Sequence, residues 1–315
     1  MNASEADRRI RNLRPAKPFV DPYRAHGALV ENERRPNGAI ERALTVFLAG
    51  AECAFTCSFC DLWRWTLDVP TPPGALATQL RAVPELAATP LPDRIKLYNA
   101  SNFFDPRCVP VVDLPEIAVL TAPFAAVTVE SHASTIGART LAFAERIEGE
   151  LEVAIGLETV HPLAAAQMNK RLDFARFDRA ADFLRENGIE LRVFALLGVP
   201  HVPAVESIDW TVRTVEYAVA HGASLVSIIP VRGGNGEMER LRALGEFAPP
   251  ALSELEQALD RCLHLRSAAV TADLWDAERL PGCEQCRAAR IARLGRVNLS
   301  GRSEAPVGCN ACDSA

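Results

Sequence analysis

The sequence alternates short apolar segments with longer amphipathic ones. Apolar runs typical of buried parallel strands lie at 43–48, 94–98, 125–130, 151–157, 191–197 and 224–230. Amphipathic segments with helical spacing lie between them at 74–86, 137–148, 174–187 and 204–221. Because a parallel strand needs a crossover to reach its neighbour, this alternation predicts an α/β fold. We expect a partial parallel (β/α)6 barrel, with its functional groups at the carboxyl ends of the strands.

The predicted barrel occupies residues 41–248 and leaves a segment on each side of it. Residues 1–40 form an N-terminal extension. Residues 249–315 form a C-terminal extension with a predicted helix at 252–266 and a possible last strand at 268–273. A chain of 315 residues is long enough for a large core with such appendages.

The composition is that of a globular protein. Apolar residues make up 49% of the chain and charged residues 23%. No apolar run approaches the about 20 residues of a membrane helix, and none directly follows the basic N-terminus as in a secretory signal. We therefore expect a cytoplasmic protein that does not bind membranes. The net charge of −6 argues against nonspecific nucleic-acid binding by the whole surface.

Three of the nine cysteines lie in the loop after the first predicted strand. Cys53, Cys57 and Cys60 have the spacing C-x3-C-x2-C, and Phe59 precedes the third. Clustered thiols in a reducing compartment are more often metal ligands than disulfides. Three thiolates on one loop can hold three irons of a [4Fe–4S] cluster and leave the fourth iron open. A three-thiolate zinc site and an electron-transfer cluster without its fourth ligand are the alternatives.

Four more cysteines lie near the C-terminus and are expected to form a metal-binding extension of the barrel. They form two C-x2-C pairs, each preceded by glycine: Cys283 with Cys286, and Cys309 with Cys312. Such turns direct two thiolates onto one metal, so the pairs predict a site for structural zinc or for a second iron–sulfur cluster. The remaining two, Cys108 and Cys262, are expected to be small packing residues.

Polar residues follow the other predicted strands, as expected if the cysteine loop is part of a site. Asn99, Ser101 and Asn102 follow the second strand. Three further side chains lie directly at strand ends and are the candidate catalytic residues: Glu130, His132 and Glu158. Since loops after strands are polar in general, a surface or capping role is the alternative for each.

The cysteine loop in this setting resembles that of the radical S-adenosylmethionine (SAM) superfamily. The C-x3-C-x-aromatic-C motif is highly specific, and residues 43–230 follow the layout of that family. The resemblance implies that Cys53, Cys57 and Cys60 bind a [4Fe–4S] cluster whose open iron takes SAM. It implies reductive cleavage of SAM to a 5′-deoxyadenosyl radical that abstracts a substrate hydrogen. It also implies an electron donor such as a flavodoxin or a ferredoxin.

The same resemblance assigns residues to the amino and ribose groups of SAM. At the end of the second strand the family has a Gly-Gly-Glu-like motif that receives the amino group. This chain departs from that motif and has Asn99, Ser101 and Asn102 there. Glu130 and Glu158 occupy positions that hold the ribose hydroxyls or the amino group.

The adenine and the carboxylate of SAM are assigned in the same way. Phe59 would pack near the adenine, which residues 193–198 would also flank. Lys170 or Arg171 would pair with the carboxylate.

A narrower resemblance concerns the substrate. Motifs at 98–106, 156–159 and 168–170 resemble the elongator catalytic subunit and the radical SAM subunit of archaeosine synthase, which act on tRNA. Four tail arginines spaced by three would form a basic stripe on a helix, or else a solvated face: Arg287, Arg290, Arg293 and Arg296. We therefore expect a radical SAM enzyme that modifies tRNA. The alternatives are a radical SAM enzyme for a peptide or small metabolite, with a second cluster, and a non-catalytic iron–sulfur or zinc protein.

Overall fold

The computed structural model describes residues 3–313, and its centre is one eight-stranded sheet. The strands adjoin in chain order: β1 (Gly27–Arg34), β2 (Ile40–Phe47), β3 (Arg94–Tyr98), β4 (Ala126–Glu130), β5 (Glu150–Glu158), β6 (Glu190–Leu197), β7 (Ala223–Pro230) and β8 (Ala269–Ala272). Strands β2 to β8 are parallel, and β1 is antiparallel to β2. The sheet curls into a half-barrel, which confirms the predicted α/β partial barrel.

The helices follow the predicted alternation. Their bounds are α1 (Ala3–Leu13), α2 (Ala75–Arg81), α3 (Leu114–Thr121), α4 (Ala138–Ala144), α5 (Pro162–Gln167), α6 (Phe174–Glu186), α7 (Ser207–Ala220), α8 (Glu237–Ala243), α9 (Leu252–Cys262), α10 (Arg287–Ser300) and α11 (Asn310–Asp313). Helix α7 packs on β6 and β7, and α6 packs on β6. None of the described helices has the length and apolar character that crossing a membrane requires.

The two faces of the sheet differ in chemistry. The face toward the helices carries alternating apolar residues with no exposed surface: Leu44, Val46, Ile95, Leu97, Val127 and Val129. The residues between them point into the half-barrel, and many are charged. The apolar face is therefore the core that holds the helices, while the inner face is left for polar contacts.

A buried network of charges crosses the inside of the half-barrel. Arg192 on β6 pairs with Glu33 on β1 at 2.5 Å and with Glu152 on β5 at 2.9 Å. Lys96 on β3 pairs with Glu31 and Glu33 at 2.8 and 2.9 Å. Burial opposes the charge on Glu33, but Arg192 and Lys96 outweigh it and hold its pKa far below the usual range. These pairs fix β1 against strands on the other side of the barrel.

Helix α10 joins the two edge strands of the half-barrel. The Asn298 side chain bonds both backbone groups of Ala272 at the end of β8, each at 2.8 Å. The backbone carbonyl of Asn298 accepts a hydrogen bond of 3.3 Å from Arg34 Nε on β1. We call these contacts the α10 bridge. It satisfies edge groups that would otherwise be open to pairing with another chain, and it closes the side of the barrel between β8 and β1.

Candidate active site and candidate metal centre

Three asparagine side chains hold the cysteine loop that follows β2. Asn102, after β3, donates to Cys53 Sγ at 3.2 Å. Asn169, after β5, donates to the carbonyl of Thr56 at 2.9 Å. Asn235, after β7, donates to the carbonyl of Ser58 at 2.8 Å. Because the three lie in the connections that follow three different strands, with Asn169 just beyond α5, the loop is fixed over the carboxyl end of the half-barrel.

The loop cysteines are half-buried and free of disulfides. Burial raises the pKa of Cys57 to about 12 and that of Cys60 well above its usual value. Neither is therefore a free thiolate nucleophile. A thiol in such a place ionises when a metal supplies positive charge, which fits the donor set of an iron–sulfur cluster.

A buried ion pair lies beside the thiols. Lys170 Nζ is 2.6 Å from Glu158 Oε1 and 5.9 Å from the centre of the Phe59 ring. Burial opposes the charge on Lys170, but Glu158 and then Cys57 outweigh it and raise the pKa of Lys170. Lys170 is therefore a fixed cation. Glu158 has a φ of 70° at a bulge in β5, which turns its carboxylate toward Lys170.

Gly156 makes room for this ion pair. A Cβ at Gly156 would lie 2.0 Å from Glu158 Oε1 and 2.7 Å from Lys170 Nζ. Any larger residue at this position would push the two charges apart. The glycine two residues before Glu158 is thus part of the site.

Unpartnered polar atoms lie at the ends of β3 and β4. Asn99 has no exposed surface, and neither atom of its side-chain amide has a hydrogen-bond partner within residues 3–313. The same is true of Glu130 Oε1. Burial raises the pKa of Glu130 to about 7, although backbone N–H groups of Ala100, Ser101 and Asn99 oppose this shift. Buried polar atoms without partners are rare, so these mark a place for a polar ligand.

His132 packs against the cysteine loop. Its ring lies 4.1 Å from the ring of Phe55. Nδ1 accepts from the backbone N–H of Ser134 at 3.1 Å, so Nε2 carries the proton that is donated to the Lys170 carbonyl at 3.2 Å. Burial lowers the pKa of His132 to about 3, which keeps the ring neutral. Its contacts are those of a positioning residue, and its catalytic role stays a prediction.

The tail cysteines converge on one point. Their four Sγ atoms lie within 4.8 Å of one another, with 3.9 Å between Cys283 and Cys309 and 3.7 Å between Cys286 and Cys312. Backbone N–H groups of Cys286 and Gln285 lower the pKa of Cys283 to about 7, while the other thiols raise that of Cys312 to about 12. This convergence agrees with the predicted four-cysteine extension.

The predicted arginine stripe is a set of ion pairs. Its members and their partners are Arg287 with Glu284, Arg290 with Glu256, Arg293 with Glu256 and Asp260, and Arg296 with Glu304. Arg293 is only 1% exposed. Because carboxylates of the same chain neutralise every member, the stripe gives no support to RNA binding.

Comparison with known proteins rests on structure. No protein-family model matches the chain, and no curated protein matches it. The crystal structure of methylornithine synthase matches 80% of this chain and 67% of its own, with a TM-score of 0.55 and 15% identity. A radical SAM methyltransferase from Sphaerobacter thermophilus matches 78% of this chain and 73% of its own, with a TM-score of 0.51 and 16% identity. The chain has the radical SAM fold.

The narrower resemblance stays a prediction. The archaeal Elp3 of Methanocaldococcus infernus matches 62% of this chain with a TM-score of 0.49 and 14% identity. This chain covers 51% of that structure.

The radical SAM fold brings most of the predicted site residues together. Those in contact with the cysteine loop or with the ion pair beside it are Phe59, Asn102, His132, Glu158 and Lys170. Asn99 and Glu130 adjoin them with unpartnered atoms. Ser101 instead bonds Cys108 Sγ at 2.9 Å, and Arg171 pairs with Asp7 of α1.

Helix α1 contributes a residue that the sequence analysis missed. Asp7 accepts hydrogen bonds from Thr56 of the cysteine loop and from Asn169, and it pairs with Arg171. Asp7 therefore ties α1 to the cysteine loop and to the loop after α5. The sequence analysis noted only the basic residues of this segment, and Asp7 is acidic.

Proposed function

We propose that this protein is a radical SAM enzyme. The observation that carries the proposal is the cysteine loop itself: three thiols with C-x3-C-x2-C spacing at the carboxyl end of a half-barrel. Next to them lie a fixed cation, Lys170, and buried polar atoms of Asn99 and Glu130 with no partner in the described chain. These groups fit a cluster and a charged, polar cofactor better than they fit a purely structural metal site.

Each part of the site has a separate task. When bound by the three cysteines, a [4Fe–4S] cluster supplies one-electron reductive cleavage of SAM to methionine and a 5′-deoxyadenosyl radical, which takes a hydrogen atom from the substrate. Lys170 suits the carboxylate of SAM. Glu130, Glu158 and Asn99 suit its amino and hydroxyl groups, and Phe59 suits its adenine. A flavodoxin or ferredoxin would supply the electron.

Two substrate classes remain in competition. The ion-paired arginines of α10 leave that face without free positive charge, which favours a peptide or small metabolite that enters the half-barrel. Modification of tRNA is the second candidate, and it is supported by the three short motifs. Tight tRNA binding that persists at physiological salt would favour the second candidate, because nonspecific phosphate contacts weaken steeply with salt.

Formation of 5′-deoxyadenosine tests the proposed activity. Protein reconstituted with iron and sulfide should form it from SAM after reduction, and Cys57→Ala should not. Cys262→Ala is the matched control, because this cysteine lies in the core of α9 away from the loop. Cluster-loaded protein that forms none would refute the proposal and leave the non-catalytic alternative.

A further inference from the structure

We propose that the four tail cysteines hold one zinc ion, and that this ion locks helix α10 across the open side of the half-barrel. The proposal goes beyond the radical chemistry and does not depend on it. The spacing of the two C-x2-C pairs fits either zinc or an iron–sulfur cluster, and we infer zinc with a structural role.

The distances between the sulfurs point to one ion. Four thiolates in a tetrahedron around zinc, each at about 2.3 Å, lie about 3.8 Å from one another. Two of the six observed separations are 3.9 and 3.7 Å, and all six are within 4.8 Å. In a [4Fe–4S] cluster each thiolate binds a different iron, so the sulfurs must lie farther apart. The loop cysteines do not form so tight a group in the described part of the chain, whereas the tail cysteines do.

The surroundings of the sulfurs fit a structural zinc ion. Four protein ligands leave no open position for a substrate. Arg290 Nε donates to Cys286 Sγ at 3.1 Å, and the same guanidinium pairs with Glu256 of α9 at 2.5 Å. Such a contact offsets part of the negative charge of four thiolates and orients a ligand. It also fastens the metal centre to α9.

The metal centre joins both ends of the segment that contains α10. Cys286 directly precedes the helix, and the turn at 309–312 ends the chain segment that returns from it. Within that segment, Arg293 donates to the carbonyls of Glu304 and Ala305 at 2.5 and 3.1 Å. The ion therefore closes a loop in the chain, and α10 lies inside that loop.

The position of α10 decides whether the half-barrel is closed. Asn298 and Arg34 form the α10 bridge between β8 and β1, and Leu294 and Val297 are fully buried beneath it. Gly301 ends the helix in the left-handed region, where a Cβ would come within 2.5 Å of Arg34 Cζ. With the helix fixed at this place, α10 spans the gap between the edge strands β8 and β1.

Metal analysis of the full-length protein tests the identity of the ion. Anaerobically reconstituted protein should contain about one zinc and about four irons per chain. The double variant Cys309→Ser/Cys312→Ser should lose zinc and keep iron, and Cys57→Ala should do the reverse. Gln285→Ala, in the same turn but with an exposed side chain, should keep both metals. About eight irons without zinc, or one thiolate-bound iron in its place, would overturn the proposal.

Cobalt substitution covers the case in which the double variant does not fold. Wild-type protein loaded with Co²⁺ in place of zinc should show the intense visible absorption of tetrahedral cobalt bound to thiolates. Weak octahedral absorption would contradict a four-thiolate site.

Hydrogen exchange tests the locking role. Removal of zinc by a chelator should speed amide exchange in β8 and β1 by at least about tenfold and leave β4 unchanged. Asn298→Ala should keep zinc yet speed exchange in β8, because it removes only the side-chain bonds of the α10 bridge to Ala272. If the amide exchange rate in β8 does not change after zinc loss, or rises equally in all strands, zinc does not hold α10 against β8 and β1.

Discussion

The two cysteine sites of this protein use the same side chain in opposite ways. The loop that carries the first three cysteines is held by asparagine amides from three connections, and Asn99 and Glu130 have polar atoms with no partner in the described residues. The tail thiols are tightly grouped, and their neighbours are ion pairs. An incomplete ligand set among unsatisfied groups is suited to chemistry, while a complete set among satisfied groups is suited to holding structure. The contrast predicts that changes at the tail affect stability, whereas changes at the loop affect cofactor binding.

The largest effect should come from Arg293→Met. Arg293 is buried and pairs with Glu256 and Asp260, and removing one partner of a buried pair costs about 3–5 kcal/mol. We expect the free energy of unfolding, measured by urea with circular dichroism, to fall by that amount while the folded protein keeps its loop iron. Arg279→Met is the control, because that side chain is 75% exposed and should change stability by under about 0.5 kcal/mol. Loss of loop iron from the folded Arg293→Met variant would show that the tail and the loop are not independent sites.

A smaller effect is expected from Gly156→Ala. The added Cβ would separate Glu158 from Lys170, so SAM affinity should fall by about 10- to 100-fold, which is about 1.4–2.8 kcal/mol. Equilibrium dialysis with the cluster-loaded protein measures this, and iron content should not change. Gly137→Ala is the matched control, since a Cβ there meets nothing within 4 Å. Equal SAM affinity in both variants would show that Glu158 and Lys170 do not contact SAM.

The third effect depends on pH through Glu130. Its pKa is raised to about 7 by burial, so the folded site takes up a proton as the pH falls through 7 and loses its negative charge. If the carboxylate receives the SAM amino group, affinity should drop by about tenfold from pH 8 to pH 6. Glu130→Gln should bind SAM more weakly at pH 8 and should not show this drop. A wild-type profile that is flat between these values would argue against the assigned contact.

The smallest effect should come from Asp7→Asn. This change weakens the link between α1 and the loops around the cysteines, which is worth about 1 kcal/mol or a factor of about five. The visible absorption of the cluster should therefore decay a few-fold faster in air. Arg8→Gln, on the exposed side of the same helix, is the control and should not change the decay. If the two variants decay alike, α1 does not shield the loop.

The strands with an apolar face were predictable, and β1 was not. Strands β2 to β7 match the six apolar runs, and the possible last strand at 268–273 is β8. The inward residues of β1, Glu31 and Glu33, are charged because they pair with Lys96 and Arg192 across the barrel. A strand with carboxylates on its inner face lacks the apolar alternation by which strands are predicted from sequence, so β1 was not predicted.

The site was predictable where a residue type carries its own chemistry. Spacing and resemblance singled out the seven clustered cysteines and Lys170, and the structure places Lys170 beside the cysteine loop and brings the four tail cysteines together. Asn169, Asn235 and Asp7 were missed because such residues are common in loops and helix ends, and only the fold brings them to the cysteines. The spacing of the tail arginines was read correctly, but Glu256 and Asp260 on α9 supply the partners that neutralise them.

The buried charge network also sets an order of events during synthesis. Glu33 and Arg192 are 159 residues apart, so β1 leaves the ribosome roughly 8–30 s before its partner at typical synthesis rates. During that interval β1 resembles a charged edge strand, which resists pairing with other chains. The cysteine loop likewise gains its hydrogen bond from Asn235 only after residue 235 has been synthesised. A nascent chain therefore reaches a fully supported cysteine loop only after most of the barrel has been made.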